Sequence, residues 1–163
     1  MAVLDKYVNA NQEAGKLANP ALMQGMTVFS VVAETEIAVA DSNNSVYRIA
    51  SLPSNAIITS IESIADTITA GSDYDLGIYD AISGDVVDAD FFADGIDFSS
   101  GFAVGSASNN MTAVAIEEFP DKLYVHAGAT VATKKEGYDI AWTANTVGSS
   151  VGTIITKISY ILG

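Results

Sequence analysis

The chain has 163 residues, no cysteine and a formal net charge of −13, from 20 acidic and 7 basic residues. This length suits one domain with a core of its own, and the missing cysteine excludes disulfides and thiolate metal sites. The acidity disfavours direct binding to nucleic acid and to anionic membranes. Because hydrophobic residues make up 49% of the chain and the mean hydropathy is +0.30, a disordered acidic tail is excluded.

Residues 1–25 are predicted to form an N-terminal arm outside the main domain. Leu4, Tyr7 and Val8 give a short apolar edge that Leu17 continues, but Asn19-Pro20 interrupts the pattern. A helix this short is marginal in water without packing, so we expect the arm to become ordered on a neighbouring molecule. A frayed terminus is the simpler alternative. Asp5 and Lys6 leave no hydrophobic region of a signal peptide, and no apolar run reaches the ~18 residues of a membrane-spanning helix.

Alternating apolar residues between turn clusters predict about eight short strands in residues 26–163, as in an all-β antiparallel sandwich or barrel. Two segments, 74–79 and 138–142, share the order Tyr-Asp-aliphatic-small-bulky apolar and are expected to be core strands. The last strand, 153–162, is apolar on both faces, so it is predicted to be central or to meet another subunit on one side. The other predicted strands are 27–32, 36–39, 46–50, 56–64 and 123–126.

Residues 83–121 are harder to assign from the pattern. Segments 86–87, 89–93 and 96–98 are interpreted either as short strands or as parts of one long loop, and 111–119 as a short helix or a strand. The aspartates of this region supply the oxygen ligands that calcium prefers; they are Asp85, Asp88, Asp90, Asp94 and Asp97. Phe92 breaks the EF-hand order and no bidentate Glu follows, so a solvated acidic loop is the favoured reading.

No reaction centre is evident in the sequence. The single histidine, His126, closes an apolar segment, and neither a Gly-x-Ser-x-Gly elbow nor a cysteine nucleophile is present. Paired carboxylates could serve glycoside hydrolysis, but acid pairs occur throughout the chain and their spacing in sequence does not fix their separation in space. The sequence therefore predicts a protein that is not an enzyme and needs neither cofactor nor metal.

Phe91 and Phe92 point to opposite sides if the backbone between them is extended. One of them would then enter the core while the other meets solvent or a partner, although packing of both within the chain is the commoner outcome. Because leaving a Phe exposed forfeits roughly 1.5–3 kcal/mol, an exposed one favours docking. The candidate interface residues are thus Leu4, Tyr7, Val8, Leu17, Phe91 and Phe92.

Residues 26–163 resemble a group of small virion proteins of tailed bacteriophages. The resemblance lies in VYRIA at 46–50, YDLGIY at 74–79, VVDADFFADG at 86–95, YDIAW at 138–142 and GTII at 152–155. It implies a capsid decoration (cement) protein or a related head protein, with a β-sandwich or jelly-roll fold and a dimer or trimer on the shell. It brings no catalytic residues with it.

The leading hypothesis is a virion protein, made in the host cytoplasm, that binds the outer capsid surface and bridges neighbouring subunits of the major capsid protein. Neither nucleic acid nor membrane is an expected partner. The alternative is a receptor- or glycan-binding module of a head or fibre, in which Tyr47, Tyr124 or Trp142 would stack on sugars. The strand pattern around Trp142 favours a core position for that side chain.

Overall fold

The computed structural model describes residues 27–69, 71–101, 108–115, 118–131, 133 and 135–163. The predicted arm, 1–25, lies outside these residues. In the described part, eight strands form two four-stranded sheets, and every strand pairing is antiparallel. The strands are β1 (Phe29–Ile37), β2 (Ser45–Pro53), β3 (Ala56–Ala65), β4 (Asp73–Asp80), β5 (Val86–Ile96), β6 (Ser108–Asn109), β7 (Gly137–Thr146) and β8 (Gly152–Leu162). A four-residue helix, α1 (Leu123–His126), lies between β6 and β7.

The strand order is β1-β8-β3-β6 in the first sheet, called sheet 1, and β2-β7-β4-β5 in the second, called sheet 2. The predicted all-β antiparallel sandwich is confirmed. The chain crosses from one sheet to the other after each of the strands β1, β2 and β3. Consecutive strands therefore mostly belong to different sheets, and only β4 and β5 pair as a hairpin in the described part of the chain. Eight strands in this interleaved order are compatible with the jelly-roll connectivity that the resemblance implied, which stays a prediction.

The two Tyr-Asp strands lie side by side at the centre of sheet 2, as the sequence predicted. Leu76 of β4 is opposite Trp142 of β7, and both side chains are buried between the sheets. The ring of Phe98 packs edge-on against Tyr74 and against Trp142, each with 5.4 Å between centroids. Edge-to-face aromatic pairs add a modest stabilisation beyond the area that they bury.

One hydrogen bond connects the sheets inside this core. The indole Nε1–H of Trp142 donates to Oγ1 of Thr156 on β8 across 2.9 Å, and both side chains are fully buried. A buried indole N–H without a partner would cost free energy, so this contact allows the largest side chain of the core to be buried without that cost. It also fixes the face of β8 that points inward, which carries Ile154, Thr156 and Ile158.

The last strand is central, as predicted. β8 pairs with β1 on one side and with β3 on the other over most of its length. Its inward face is buried, while Ile155, Lys157 and Ser159 point away from the core and are partly or fully exposed. Burial of one face and partial cover of the other explain why β8 is apolar on both faces.

Three local predictions were wrong or incomplete. Residues 123–126 form the helix α1 and not a strand: the N–H groups of Val125 and His126 donate to the carbonyl of Lys122, and Leu123 is buried. An apolar run of four residues does not distinguish strand from helix. Segments 27–32 and 36–39 are replaced by one strand, β1. Residues 111–115 and 118–119 form neither a helix nor a strand.

The acidic segment forms a single long strand, β5, and not several short strands or a solvated loop. Its register against β4 moves from Ile78↔Asp88 to Leu76↔Ala93. Over this stretch β5 therefore has three residues more than β4, and they form a long bulge. The bulged backbone passes directly over Gly77, where a Cβ atom would overlap the carbonyl groups of Asp88 and Ala89. Only glycine allows this close approach. No helix in the described ranges is both long and apolar enough to span a bilayer.

The bond between the sheets gives a prediction for stability. Trp142→Phe leaves Thr156 without its donor and Thr156→Val leaves the indole N–H without its acceptor, so each should lower the free energy of unfolding by about 1–3 kcal/mol. In the double variant no orphaned group remains, and the loss should be smaller than the sum of the two single losses. Urea denaturation of the four proteins measures the coupling; strictly additive losses would contradict the assigned bond.

Candidate interaction surfaces

The six predicted interface residues fall into three groups: four outside the described residues, one in the core and one partly buried. Leu4, Tyr7, Val8 and Leu17 lie outside the described residues. Phe92 is 1% exposed and belongs to the core, whereas Phe91 is only partly buried. The two rings meet edge-on at 5.0 Å between centroids, and Phe91 lies 4.5 Å from the ring of His126 on α1. Both phenylalanines thus pack within the chain, and a role for them at an interface stays a prediction that now depends on Phe91.

His126 is half-buried beside Phe91. Burial lowers the pKa of His126 below its ordinary value, while the nearby carboxylates of Asp121 and Glu118 oppose this shift. A neutral imidazole is therefore favoured in this packed position. The contact between His126 and Phe91 joins α1 to β5.

The aspartates that were considered as calcium ligands are spread along β5 and its flanks. Asp97 accepts hydrogen bonds from Ser99 and Ser72, which lowers its pKa and fixes the following turn. Asp94 lies near Asp75, whose negative charge is the largest cause of the raised pKa of Asp94. Within the described ranges, no three acidic or histidine side chains converge in a way that could hold a metal ion.

The outer face of sheet 2 is covered by the chain itself. Asp139, Ala141 and Thr143 of β7 point outward and are nevertheless buried. Arg48 forms an ion pair with Asp139, and the β4–β5 hairpin packs over it, with Gly84 against the guanidinium group. The centre of this face therefore serves internal packing, whereas Val46 at its margin is 43% exposed.

The outer face of sheet 1 is open. Adjacent positions on its three long strands put Ile64 beside Ile155, and Glu62 beside Lys157. Val32 of β1 lies opposite Lys157 and is 65% exposed. These five side chains line a shallow depression of about 230 Å³, in which Nζ of Lys157 lies 3.7 Å from Oε2 of Glu62. Sequence reasoning did not name this surface, although the two apolar faces of β8 pointed to it.

The edge of sheet 1 beside this depression is only partly protected. In the described part of the chain β1 pairs with β8 alone, and it contains neither proline nor lysine. Its first residue, Phe29, stacks on Tyr160 with 5.4 Å between ring centroids, and Val28 just before it is exposed. Glu34 and Glu36 protect the second half of this edge, whereas the first half, 29–33, contains neither a charge nor a proline and favours pairing with a further segment of chain.

A second apolar surface lies at the tip of the β4–β5 hairpin. Ile82 is 77% exposed there. Oδ1 of Asp80 accepts hydrogen bonds from the N–H groups of Ile82 and Ser83 at 2.8 and 2.9 Å, so the exposed side chain stands on a rigid turn. Beside it, Leu52, Pro53 and Glu136 line a shallow depression of about 370 Å³.

Comparison with known proteins shows the fold of this chain. No protein-family model matches the sequence, and no curated protein matches it significantly. Two solved structures are similar in three dimensions. A chain in the capsid of Ralstonia phage GP4 is 14% identical with a TM-score of 0.59, over 84% of this chain and 85% of that one. A chain in the capsid asymmetric unit of cyanophage Pam1 is 15% identical with a TM-score of 0.53, over 85% and 87%.

This chain shares its fold with phage capsid chains. The match extends over more than four-fifths of both chains in each comparison, so it describes the whole sandwich and not one sheet or hairpin. It agrees with the fold that the resemblance implied.

The raised pKa of Asp94 gives a prediction for the acidic strand. Asp94→Asn removes a charge that Asp75 repels, so it should raise the Tm at neutral pH more than Asp66→Asn, which removes the same charge from an exposed site. Since a raised carboxyl pKa costs stability only above that pKa, the gain should vanish as the pH falls and Asp94 protonates in the parent protein. Equal effects of both substitutions would contradict the local repulsion.

The pKa of His126 is lowered, and it gives a second prediction for the pH dependence of stability. Because its folded pKa lies below the unfolded value of 6.5, the unfolded chain takes up more protons as the pH falls through that value. The contribution of the neutral ring is present above this value and is lost as the pH falls towards the folded pKa. His126→Asn should therefore show a smaller loss of unfolding free energy than the parent between about pH 7.5 and 5. Parallel pH profiles from chemical denaturation would rule this out.

Proposed function

We propose that this chain is a structural protein of a phage virion that binds the outer capsid surface and stabilises the shell by bridging neighbouring subunits of the major capsid protein. The observation that carries the proposal is the similarity of the whole sandwich to chains in the Ralstonia phage GP4 and cyanophage Pam1 capsid structures. The protein is made in the host cytoplasm and acts without catalysis.

The charge of the chain supports an outer position. A net charge of −13 would repel the packaged genome from an inner position, whereas on the outside it keeps the particle surface soluble. The chain would therefore contact capsid protein and neither nucleic acid nor membrane.

The exposed apolar surfaces support a role in protein contacts. The depression on sheet 1 and the hairpin tip at Ile82 lie on different parts of the sandwich, so one copy offers two separate surfaces. A protein that binds the shell and also associates with copies of itself needs at least two such surfaces, one for each kind of contact. Self-association as a dimer or trimer would join several individually weak contacts and raise the overall affinity for a symmetric shell.

Stabilisation would follow from mass action. A protein that binds the assembled shell and not the free subunits shifts the equilibrium towards the shell, by about 2.7 kcal/mol per site at a free concentration of 100 times Kd. No chemistry at the bound site is needed for this effect.

The glycan-binding alternative is not proposed. Trp142, the side chain best suited to stacking on a sugar, is fully buried, and its indole N–H is already bonded to Thr156. The hydroxyl of Tyr47 is bonded to Asp41 at 2.8 Å. No observation favours this second function over the first.

Particles with and without the protein test the proposal. Those that lack it should release their genome at a lower temperature, measured by the access of a DNA-binding dye, and adding the purified protein should restore the release temperature. Cryo-electron microscopy of restored particles should show the sandwich above contacts between major capsid subunits. A chain found inside the shell or in the tail, or an unchanged release temperature, would overturn the proposal.

The arm gives a further prediction for the same particles. Deletion of residues 2–20 should leave the sandwich folded, with the thermal transition of the purified protein retained, but lower its occupancy on the shell. Occupancy is measured by quantitative gel analysis of washed particles, with the full-length chain as the control. Unchanged occupancy would remove the arm from the docking mechanism.

A further inference from the structure

We propose that the N-terminal arm, residues 1–25, of one copy docks on the outer face of sheet 1 of a neighbouring copy. Apolar residues near the start of the arm, Leu4, Tyr7 and Val8, would cover the depression beside Val32, Ile64 and Ile155. This inference rests on the proposed function, because it names the contact through which the proposed dimer or trimer forms.

The size and lining of the depression fit amino-acid side chains. Its volume of about 230 Å³ lies below the range of about 300–1,000 Å³ of sites for small molecules. Its floor is apolar, and the Lys157–Glu62 pair at its margin supplies one charge of each sign. A short apolar segment with few charges meets both conditions.

The distribution of charge favours the arm over the body of a second copy. Residues 1–25 contain two acidic and two basic residues, so the arm is formally neutral and the entire net charge of −13 falls on residues 26–163. Two bodies that met face to face would repel each other, whereas a neutral arm adds apolar contact without adding charge.

The position and the length of the arm favour a neighbouring copy over the same copy. The arm joins the described structure at Thr27, next to the open edge of β1. If the chain turned back at Gly25 to pair with β1 directly, Asn19-Pro20 would fall within the added strand, where proline is tolerated only if its nitrogen faces away from β1.

Val8, the last of the three apolar residues, lies 19 positions before Thr27, a reach of about 60 Å if the segment is extended. A domain of this length has a radius of gyration of about 15 Å. If extended, this segment would reach well beyond the radius of its own body, far enough to meet the sheet of a neighbouring molecule.

Cysteine cross-linking tests this docking, since the chain contains no cysteine of its own. Full-length Val8→Cys protein is mixed with full-length Val32→Cys protein that carries a mass tag, and the mixture is oxidised and run on a non-reducing gel. The control mixture replaces Val32→Cys by tagged Val86→Cys, because Val86 is an equally exposed strand valine on sheet 2, with 59% against 65% exposure. We expect a covalent heterodimer in the first mixture and its loss in the control.

The other occupants of the surface give distinct results. A Val32→Cys homodimer as the main product would mean that two bodies meet face to face. A cross-link only within one copy, in the Val8→Cys/Val32→Cys double variant, would mean that the arm covers its own sheet. Equal yields with Val32→Cys and Val86→Cys would mean unspecific collision. Each of these results overturns the inference.

Particle binding separates this inference from the function on which it rests. If the heterodimer is absent but the protein still occupies and stabilises the shell, the docking of the arm is wrong and the proposed function stands. If the heterodimer forms but the protein never binds particles, self-association through the arm stands and the proposed function is overturned.

Discussion

Burial of the Trp142 side chain between the two sheets is the constraint on which the rest of the structure depends. Its indole contacts Phe98, which in turn contacts Tyr74, and its N–H is satisfied by Thr156 from the opposite sheet. A side chain this large can be buried only if its polar atom has a partner, so the position of β8 relative to β7 is fixed by one hydrogen bond as well as by apolar packing. The inward and outward faces of β8 follow from it.

The two outer faces of the sandwich are unequal. The centre of sheet 2 is covered on its outer side by the long β4–β5 hairpin, because the bulge of β5 passes over Gly77 and the turn packs on Arg48. Sheet 1 has no such cover in the described part of the chain, and its β8 carries Ile155 on the outward side next to Ile64. The open face and the free edge of β1 are therefore consequences of the way the chain divides its strands between the sheets. The proposed contacts with other protein chains depend on these two features.

Much of the architecture could be predicted from local pattern. The strands at 74–79 and 138–142 and the central place of β8 follow from alternation of apolar residues and from apolar character on two faces. The errors fall where local pattern is ambiguous. The segment 123–126 begins with three apolar residues, which is compatible with a strand. It forms a helical turn, in which Leu123 is buried and the carbonyl of Lys122 accepts the hydrogen bonds. The long bulge of β5 depends on close approach to Gly77 on the neighbouring strand β4, which the alternation of residues does not reveal.

The sequence by itself determined the class of the fold, the core strands, the acidic surface and the neutral charge of the arm, because composition and alternation are local properties of a chain. Only the tertiary structure decided which strands share a sheet, that the aspartates of β5 spread along a bulged strand, and that Val32, Ile64 and Ile155 meet on one open face. These three residues come from three strands that lie far apart in the chain. Their meeting depends on long-range strand pairing and register, which no local pattern of residues encodes.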